Sequence, residues 1–245
     1  MNEVVRSLFE RKSVRAFLDK EVSGQEKTMI LEAALQAPSA GNQLLYTILD
    51  IQDHNIKEAL AESCDRQPFV AKAPLVLVFL ADCRRWMDAY EAAGAPYRKP
   101  SAGDLLLACE DALIAAQNSV TAAWSMGIGS CYIGDILENR EKVVSLLNLD
   151  EFVLPIALVV FGYPDDAQKK REKPARFDQS FLVFKDRYRR LREDELREMF
   201  SKRSGKDDFD FDEYIRKFCE RKYMAPFALE MNRSACSYME HFLRE

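Results

Sequence analysis

Hydrophobic and polar positions change their period several times along this chain, and each change marks an element. Apolar residues from Val4 to Phe9 recur at helical spacing and predict a short helix, followed by a polar turn, Arg11-Lys-Ser-Val-Arg15. Ser23 and Glu26 have the spacing of a capping box, in which a hydroxyl and a carboxylate satisfy unpaired amides at a helix start. That helix should run to about Gln36 and stop before Ala37-Pro38, because proline disfavours helical geometry in the residue before it. Leu45 to Ile51 reads as a strand, and Asp53 can cap a helix reaching about Cys64. Leu75-Val-Leu-Val-Phe-Leu-Ala81 and Leu154 to Phe161 are continuous apolar runs, the pattern of strands buried on both faces. A helix near Arg140 to Leu147 precedes the second run. After Lys185 the pattern turns to charged helices, over 187–200, 208–222 and 225–242.

Residues 104–126 are the longest apolar stretch. As a helix they would rise roughly 35 Å, enough to cross a bilayer. Glu110, Asp111, Gln117, Asn118 and Ser119 interrupt the middle, where each is costly in lipid. A buried central helix of a soluble protein fits better, covered on most sides, with a partner subunit as one means of covering it.

Composition narrows the classes. With 48% hydrophobic residues over 245, the chain can fill a real core. A net charge of −5 argues against nucleic acid as a partner, and no membrane is expected. Six cysteines without a Cys-x-x-Cys pair, and isolated His54 and His241, predict no metal site. The opening Met-Asn-Glu-Val-Val-Arg has no apolar signal region, which points to a reducing cytoplasm.

Four clusters carry candidate chemistry. Arg11-Lys-Ser-Val-Arg15 places three cations and a hydroxyl within five residues, the donor set of a phosphate site, although the same residues suit a solvated turn. Lys169-Lys-Arg-Glu-Lys-Pro-Ala-Arg176 is a second basic loop, and no spacing argument brings it to the first. Ala37-Pro-Ser-Ala-Gly-Asn-Gln43 has small residues against which a planar ring could lie, with amides for a heterocycle edge, or is simply a turn that needs glycine. Gly127-Ile-Gly-Ser-Cys-Tyr-Ile-Gly134 follows a helix and so fails as a Rossmann fingerprint, which must follow a strand. Asp207-Asp-Phe-Asp-Phe-Asp212 lacks the glycine and distal glutamate of a calcium loop and reads as a helix start. The residues alone define a soluble α/β enzyme or binding protein with a basic small-molecule site.

Taken in order, Arg11-Lys-Ser-Val-Arg-Ala-Phe17, Ala37–Gln43, Ala112–Gly134 and Lys173-Pro-Ala-Arg176 resemble the nitroreductase family of FMN-dependent oxidoreductases over about residues 3–190. The resemblance is closest to the group of major oxygen-insensitive nitroreductases and flavin reductases. It implies an α+β fold, a three-layer sandwich whose mixed central sheet is flanked by helices, in an intertwined homodimer. It also implies an FMN-binding domain over 1–190, and a C-terminal helical extension over 191–245 packing on the dimer. By position, Arg11, Ser13, Lys173 and Arg176 would hold the FMN phosphate, with Lys12 helping. Arg15 would approach the ribityl chain or pyrimidine end as electrostatic support. Ser39, Asn42, Gln43 and Gln67 would contact ring or ribityl, and Tyr132, Ile133 and Gly134 would lie along the ring edge. The sequence departs from the family pattern at Ala175, which separates the Lys-Pro pair from its arginine, and at Lys12, where arginine is common.

The implied reaction is ping-pong hydride transfer at flavin N5, from NADPH or NADH to small planar acceptors such as nitroaromatics, quinones or flavins. No catalytic side chain is required. Two alternatives stand beside it. One is a superfamily branch for reductive dehalogenation or flavin fragmentation, with a lid drawn from 84–103. The other is a non-catalytic FMN-binding sensor or store.

Overall fold

The computed structural model describes residues 1–243. It divides into two compact units, one formed by Met1–Arg171 with the chain from Glu230 onward, the other by Glu172–Leu229. The end of the last helix belongs to the first unit.

In chain order the elements are α1 (Glu3–Glu10), α2 (Gly24–Leu35), β1 (Tyr46–Asp50), α3 (His54–Ser63), α4 (Phe69–Lys72), β2 (Leu75–Asp82), α5 (Arg84–Ala92) and α6 (Ala102–Ser125). Then follow β3 (Gly129–Ile133), α7 (Arg140–Leu147), β4 (Val153–Gly162), α8 (Asp166–Lys170), α9 (Glu193–Ser204), α10 (Phe211–Phe218) and α11 (Pro226–Leu243). The expected caps are present. Ser23 and Glu26 close a capping box on α2, and the Asp53 carboxylate accepts from the amides of Asn55 and Ile56 at the start of α3.

The strands form a four-stranded sheet in the order β1-β2-β4-β3. Every adjacent pair is antiparallel, so the expected mixed sheet is reduced, among the described residues, to one parallel bridge between Ser13 and Ser130. The register between β2 and β4 shifts between Phe79 and Leu80, and Pro155 pairs with Leu80 there. A proline cannot donate to a ladder, so it sits at the irregularity.

Alternate residues of β2 build two cores. Leu75, Leu77 and Phe79 pack with Ile30 and Ala34 of α2 and with Ala112, Ala115 and Ala116 of α6. Val76, Val78 and Leu80 pack with Leu60 of α3 and Val143 of α7 on the other face. The result is the three-layer α+β sandwich, and the continuous apolar runs are explained by burial on both faces. A third cluster joins Leu45, Met87, Leu105 and Phe152 to Tyr238 and Phe242 of α11.

β3 is the element that the sequence pattern hides, since Gly127–Gly134 read as a loop. Its glycine has a packing reason. A Cβ on Gly129 would come within 2.5 Å of the Val14 side chain, and one on its register partner Gly162 within 2.7 Å of the Phe17 ring. The segment after α1 therefore lies directly on the sheet edge, with the Val14 amide donating to Ser130 O at 2.9 Å and the Leu18 amide to Tyr163 O at 2.8 Å.

Within the second unit, the Phe200 ring lies 5.1 Å from Phe177, 5.7 Å from Phe211 and 5.9 Å from Tyr214, with the Arg203 guanidinium 4.1 Å from the Phe177 centroid. The first tail helix starts at Glu193 and not near Arg187, because Arg192 is its cap and Glu195 its returning carboxylate. Asp210 caps α10 by accepting from the Glu213 amide, as expected of a helix start in that acidic run.

Candidate active site

Gly129 on the edge strand and Gly162 at the end of β4 place the basic turn. With Val14 and Phe17 seated over Gly129 and Gly162, the intervening and flanking residues Arg11, Ser13 and Arg15 fall along β3. Burial pushes the Cys131 thiol up, while Arg15, Ser13 and Arg11 pull it back down, so all three face the middle of this strand. Burial likewise pushes the Tyr132 phenol up, with Arg11 opposing.

The turn is locked to the segment after β4. Lys12 Nζ donates to Lys169 O at 2.8 Å and also to Arg171 O, and the Arg171 guanidinium donates to Ser13 O. The Arg15 amide donates to Gln168 Oε1 at 3.2 Å. Lys12 is thus engaged mainly in holding two chain segments together. Arg171, by contrast, was not singled out from the sequence, where Lys173 and Arg176 were preferred, yet it is the cation of that loop that contacts the turn. Its neighbours in a run of five cations gave no reason to prefer it. Its Nε is shielded from solvent and has no hydrogen-bond partner. Among the described residues, Arg11, Lys12, Arg15 and Arg171 take part in no ion pair. Concentrated cations without carboxylates, one of them with a buried unpartnered N–H, are the donor set of a bound anion such as phosphate.

Lys173 is half-buried and Arg176 exposed, and both begin the second unit.

A second group of expected residues meets at the far end of β3. Gly134 is exposed and Ile133 buried, and Asp135 follows them. The turn after α3 carries Asp65 and Arg66 at φ of 54° and 52°, left-handed values that swing Gln67 toward this end. Gln67 Nε2 donates to Asp135 Oδ2 at 2.7 Å and to Cys64 O at 2.9 Å.

The Ser39–Gln43 loop is built differently. Gly41, Asn42 and Leu44 have φ of 58°, 55° and 49°. Such a run, including a leucine, persists only where surroundings over-determine it. Here they do. Asp111 of α6, 2% exposed, accepts from Ser39 Oγ at 2.6 Å, the Ala40 amide at 3.0 Å and the Leu45 amide at 3.1 Å. Trp86 Nε1 donates to Gln43 O at 2.9 Å, and Arg85 Nη1 to Leu44 O at 3.2 Å. The Ser39 hydroxyl proton is therefore engaged with Asp111, while exposed Asn42 and half-buried Gln43 keep their amides available. Sequence reading used Asp111 only as a charge that lipid would not tolerate. Its role as the anchor of this loop depends on a contact 71 positions away in the chain. Residues 84–103, considered as a lid, form α5 and a stretch that lines a cavity of about 370 Å³ with Gln43, Trp86, Tyr90 and Tyr97.

Among the described residues, no hydrogen bond or ion pair joins this loop to the basic turn or to Gln67. The expected residues thus fall into two separate groups in one chain, the cations along β3 with Gln67 at its far end, and a rigid loop of amides and small residues.

These features define an α+β protein with clustered cations along a sheet edge, and the chain belongs to the nitroreductase family, whose model matches residues 8–163. It is 32% identical over 237 residues to an FMN reductase [NAD(P)H] of Bacillus subtilis, covering 91% of this chain and 93% of that one. It is also 32% identical to an oxygen-insensitive NADPH nitroreductase of Salmonella typhimurium, covering 79% and 78%. Among solved structures, NfrA2 of B. megaterium superposes with a TM-score of 0.79 at 28% identity, covering 96% of this chain and 98% of that one. Among the described residues, no helix is long and apolar enough to cross a membrane.

Proposed function

We propose that this protein is a cytoplasmic, homodimeric FMN-dependent oxidoreductase that uses NADPH or NADH to reduce small planar acceptors, including nitroaromatics, quinones and flavins. The observation that carries the reading is the set of unpaired cations at β3, with the solvent-shielded Arg171 Nε among them. Arg11, Ser13 and Arg171 hold the phosphate, joined by Lys173 and Arg176 from the next segment, and Lys12 keeps the two basic segments together. Arg15 lies further along, beside the ribityl chain or the pyrimidine end, where its charge favours an electron-rich ring. Gln67 and the Tyr132–Gly134 stretch border the ring, and Asn42 and Gln43 offer amides to it. When bound, FMN supplies hydride chemistry at N5 between the nicotinamide donor and the acceptor. The chain's own task is orientation and electrostatics. No side chain is required as nucleophile.

The homodimer rests on α6. Leu106, Leu107, Leu113 and Ile114 are 64%, 42%, 41% and 39% exposed. At spacings of seven and eight they share one helical face, an apolar patch that a second copy covers. That copy also brings the Ser39–Gln43 loop of one chain to the cradle of the other, which accounts for two partial sites in each. Six free cysteines suit a reducing compartment.

Purified protein should be yellow, release FMN on denaturation, and oxidise NADPH or NADH only when an acceptor is added. A colourless protein that stays colourless with added FMN overturns the reading. A yellow protein that the nicotinamide cofactors fail to bleach is instead a flavin-binding store.

A further inference from the structure

Beside the flavin site lies a buried polar cluster that the reaction does not explain. Glu138 is 4% exposed, and its Oε1 has no hydrogen-bond partner. Three carboxyl groups face it, Asp135 from its own turn, Asp65 from the turn after α3, and Glu230 from α11. The Cys64 thiol also lies within its field, and Lys142 of α7 lies within that of Cys64. Next to it, Arg140 sits over the Tyr238 ring at 5.5 Å, and both Arg140 Nε and Tyr238 Oη are buried without partners. A buried carboxyl oxygen without a partner, among other carboxyls, is costly, so the retention of Glu138 needs a reason.

The reason offered by the geometry is the orientation of Gln67. Its two contacts, Cys64 O and Asp135 Oδ2, are both acceptors. They fix the NH₂ group inward, and the Gln67 Oε1 accepts no hydrogen bond among the described residues. We propose that Asp135, backed by the buried Glu138 carboxyl, is a positioning residue that presents Gln67 to the flavin ring solely as a hydrogen-bond acceptor. The inference rests on the flavin reading above and deepens it. An amide otherwise free to flip offers either a donor or an acceptor; here one face is chosen. The oxidised isoalloxazine has a single ring N–H, at N3, and a fixed acceptor is matched to that edge alone. Burial, then the neighbouring carboxylates, pushes Glu138 up to about 7, so below neutral pH it carries a proton and donates to Asp135 instead of repelling it.

The test is FMN titration of the full-length protein, followed by flavin fluorescence and visible absorption. Gln67→Leu should weaken FMN by about tenfold, and Asp135→Leu by a similar factor. The double variant should be no weaker than either single, because Asp135 acts through Gln67. Asp135→Asn, which keeps an acceptor oxygen, should recover most of the affinity. Wild-type affinity in Asp135→Leu, wild-type affinity in Gln67→Leu, or losses that multiply toward a hundredfold would each overturn the inference while leaving the flavin reading intact. Failure of wild-type protein to bind FMN at all is the separate failure of that reading, and removes both. If Asp135→Leu does not fold, titration of wild type with 3-methyl-FMN decides. Binding about tenfold weaker than FMN, with the difference lost in Gln67→Leu, supports the inference, and equal binding overturns it.

Discussion

Arg171 and Glu138 are single side chains that the fold places in costly surroundings, one a shielded cation and the other a shielded acid. If Arg171 belongs to the phosphate cradle, Arg171→Ala removes a charge-assisted contact worth about 1.5–3 kcal/mol, and FMN should bind at least tenfold more weakly. Arg11→Ala should do the same, whereas Arg6→Ala on α1 should leave FMN affinity unchanged. Equilibrium dialysis of the three variants distinguishes a cradle from a general basic surface. Glu138 gives a prediction in pH. Its carboxyl titrates near 7 when folded, above its ordinary value of 4.5, so the folded state binds the proton more tightly than the unfolded chain. Its contribution to stability is complete below about pH 4.5, declines as pH rises toward 7, and is flat above that. Glu138→Gln should therefore flatten the pH dependence of the urea midpoint between 5 and 7. A wild-type slope retained in the variant would assign the effect to another group.

At the level of elements, what was legible was whatever local pattern and burial determine together. The capping box at Ser23, the cap at Asp53 and the two doubly buried strands follow from nearest neighbours and from apolar runs, and all are present. The basic turn was legible as chemistry, but its position was not. What seats it is the pair Gly129 and Gly162, whose missing side chains accommodate Val14 and Phe17. A glycine-rich stretch reads as a loop until its cross-strand partner is known, which is why β3 was hidden. Gly129→Ala should force Val14 off the sheet edge, cost about 1–3 kcal/mol as overpacking does, and loosen FMN along with the turn. Thermal melts and flavin titration on the same sample would show both losses. Unchanged flavin affinity in a destabilised variant would separate the turn from the site. Asp111 was hidden for a related reason, since its three partners lie far back in the chain. Asp111→Ala leaves three polar groups without an acceptor, and the Ser39–Gln43 loop should become a site of early proteolysis in limited digests.

For the whole molecule, the proposed dimer makes a prediction about how the two groups of site residues are joined. The exposed leucines and Ile114 on α6 are the face to challenge. Ile114→Arg should shift sedimentation from dimer to monomer and release FMN, although Ile114 is not among the residues assigned to the cofactor. A yellow monomer would mean that one chain completes the site alone. Residues 172–229 form their own compact unit with an aromatic cluster around Phe200. Its start carries Lys173 and Arg176, within a basic loop that begins at Lys169, so no local change of pattern marks a division there.

Asp111 and Ile114 are three positions apart on one rod, the first turned inward to a strained loop and the second outward to solvent. A residue inserted between them would rotate everything downstream by about 100°. The anchored loop and the exposed apolar face would then fall out of phase together, in a single genetic event. The length of this rod is thus a shared ruler for both of its faces.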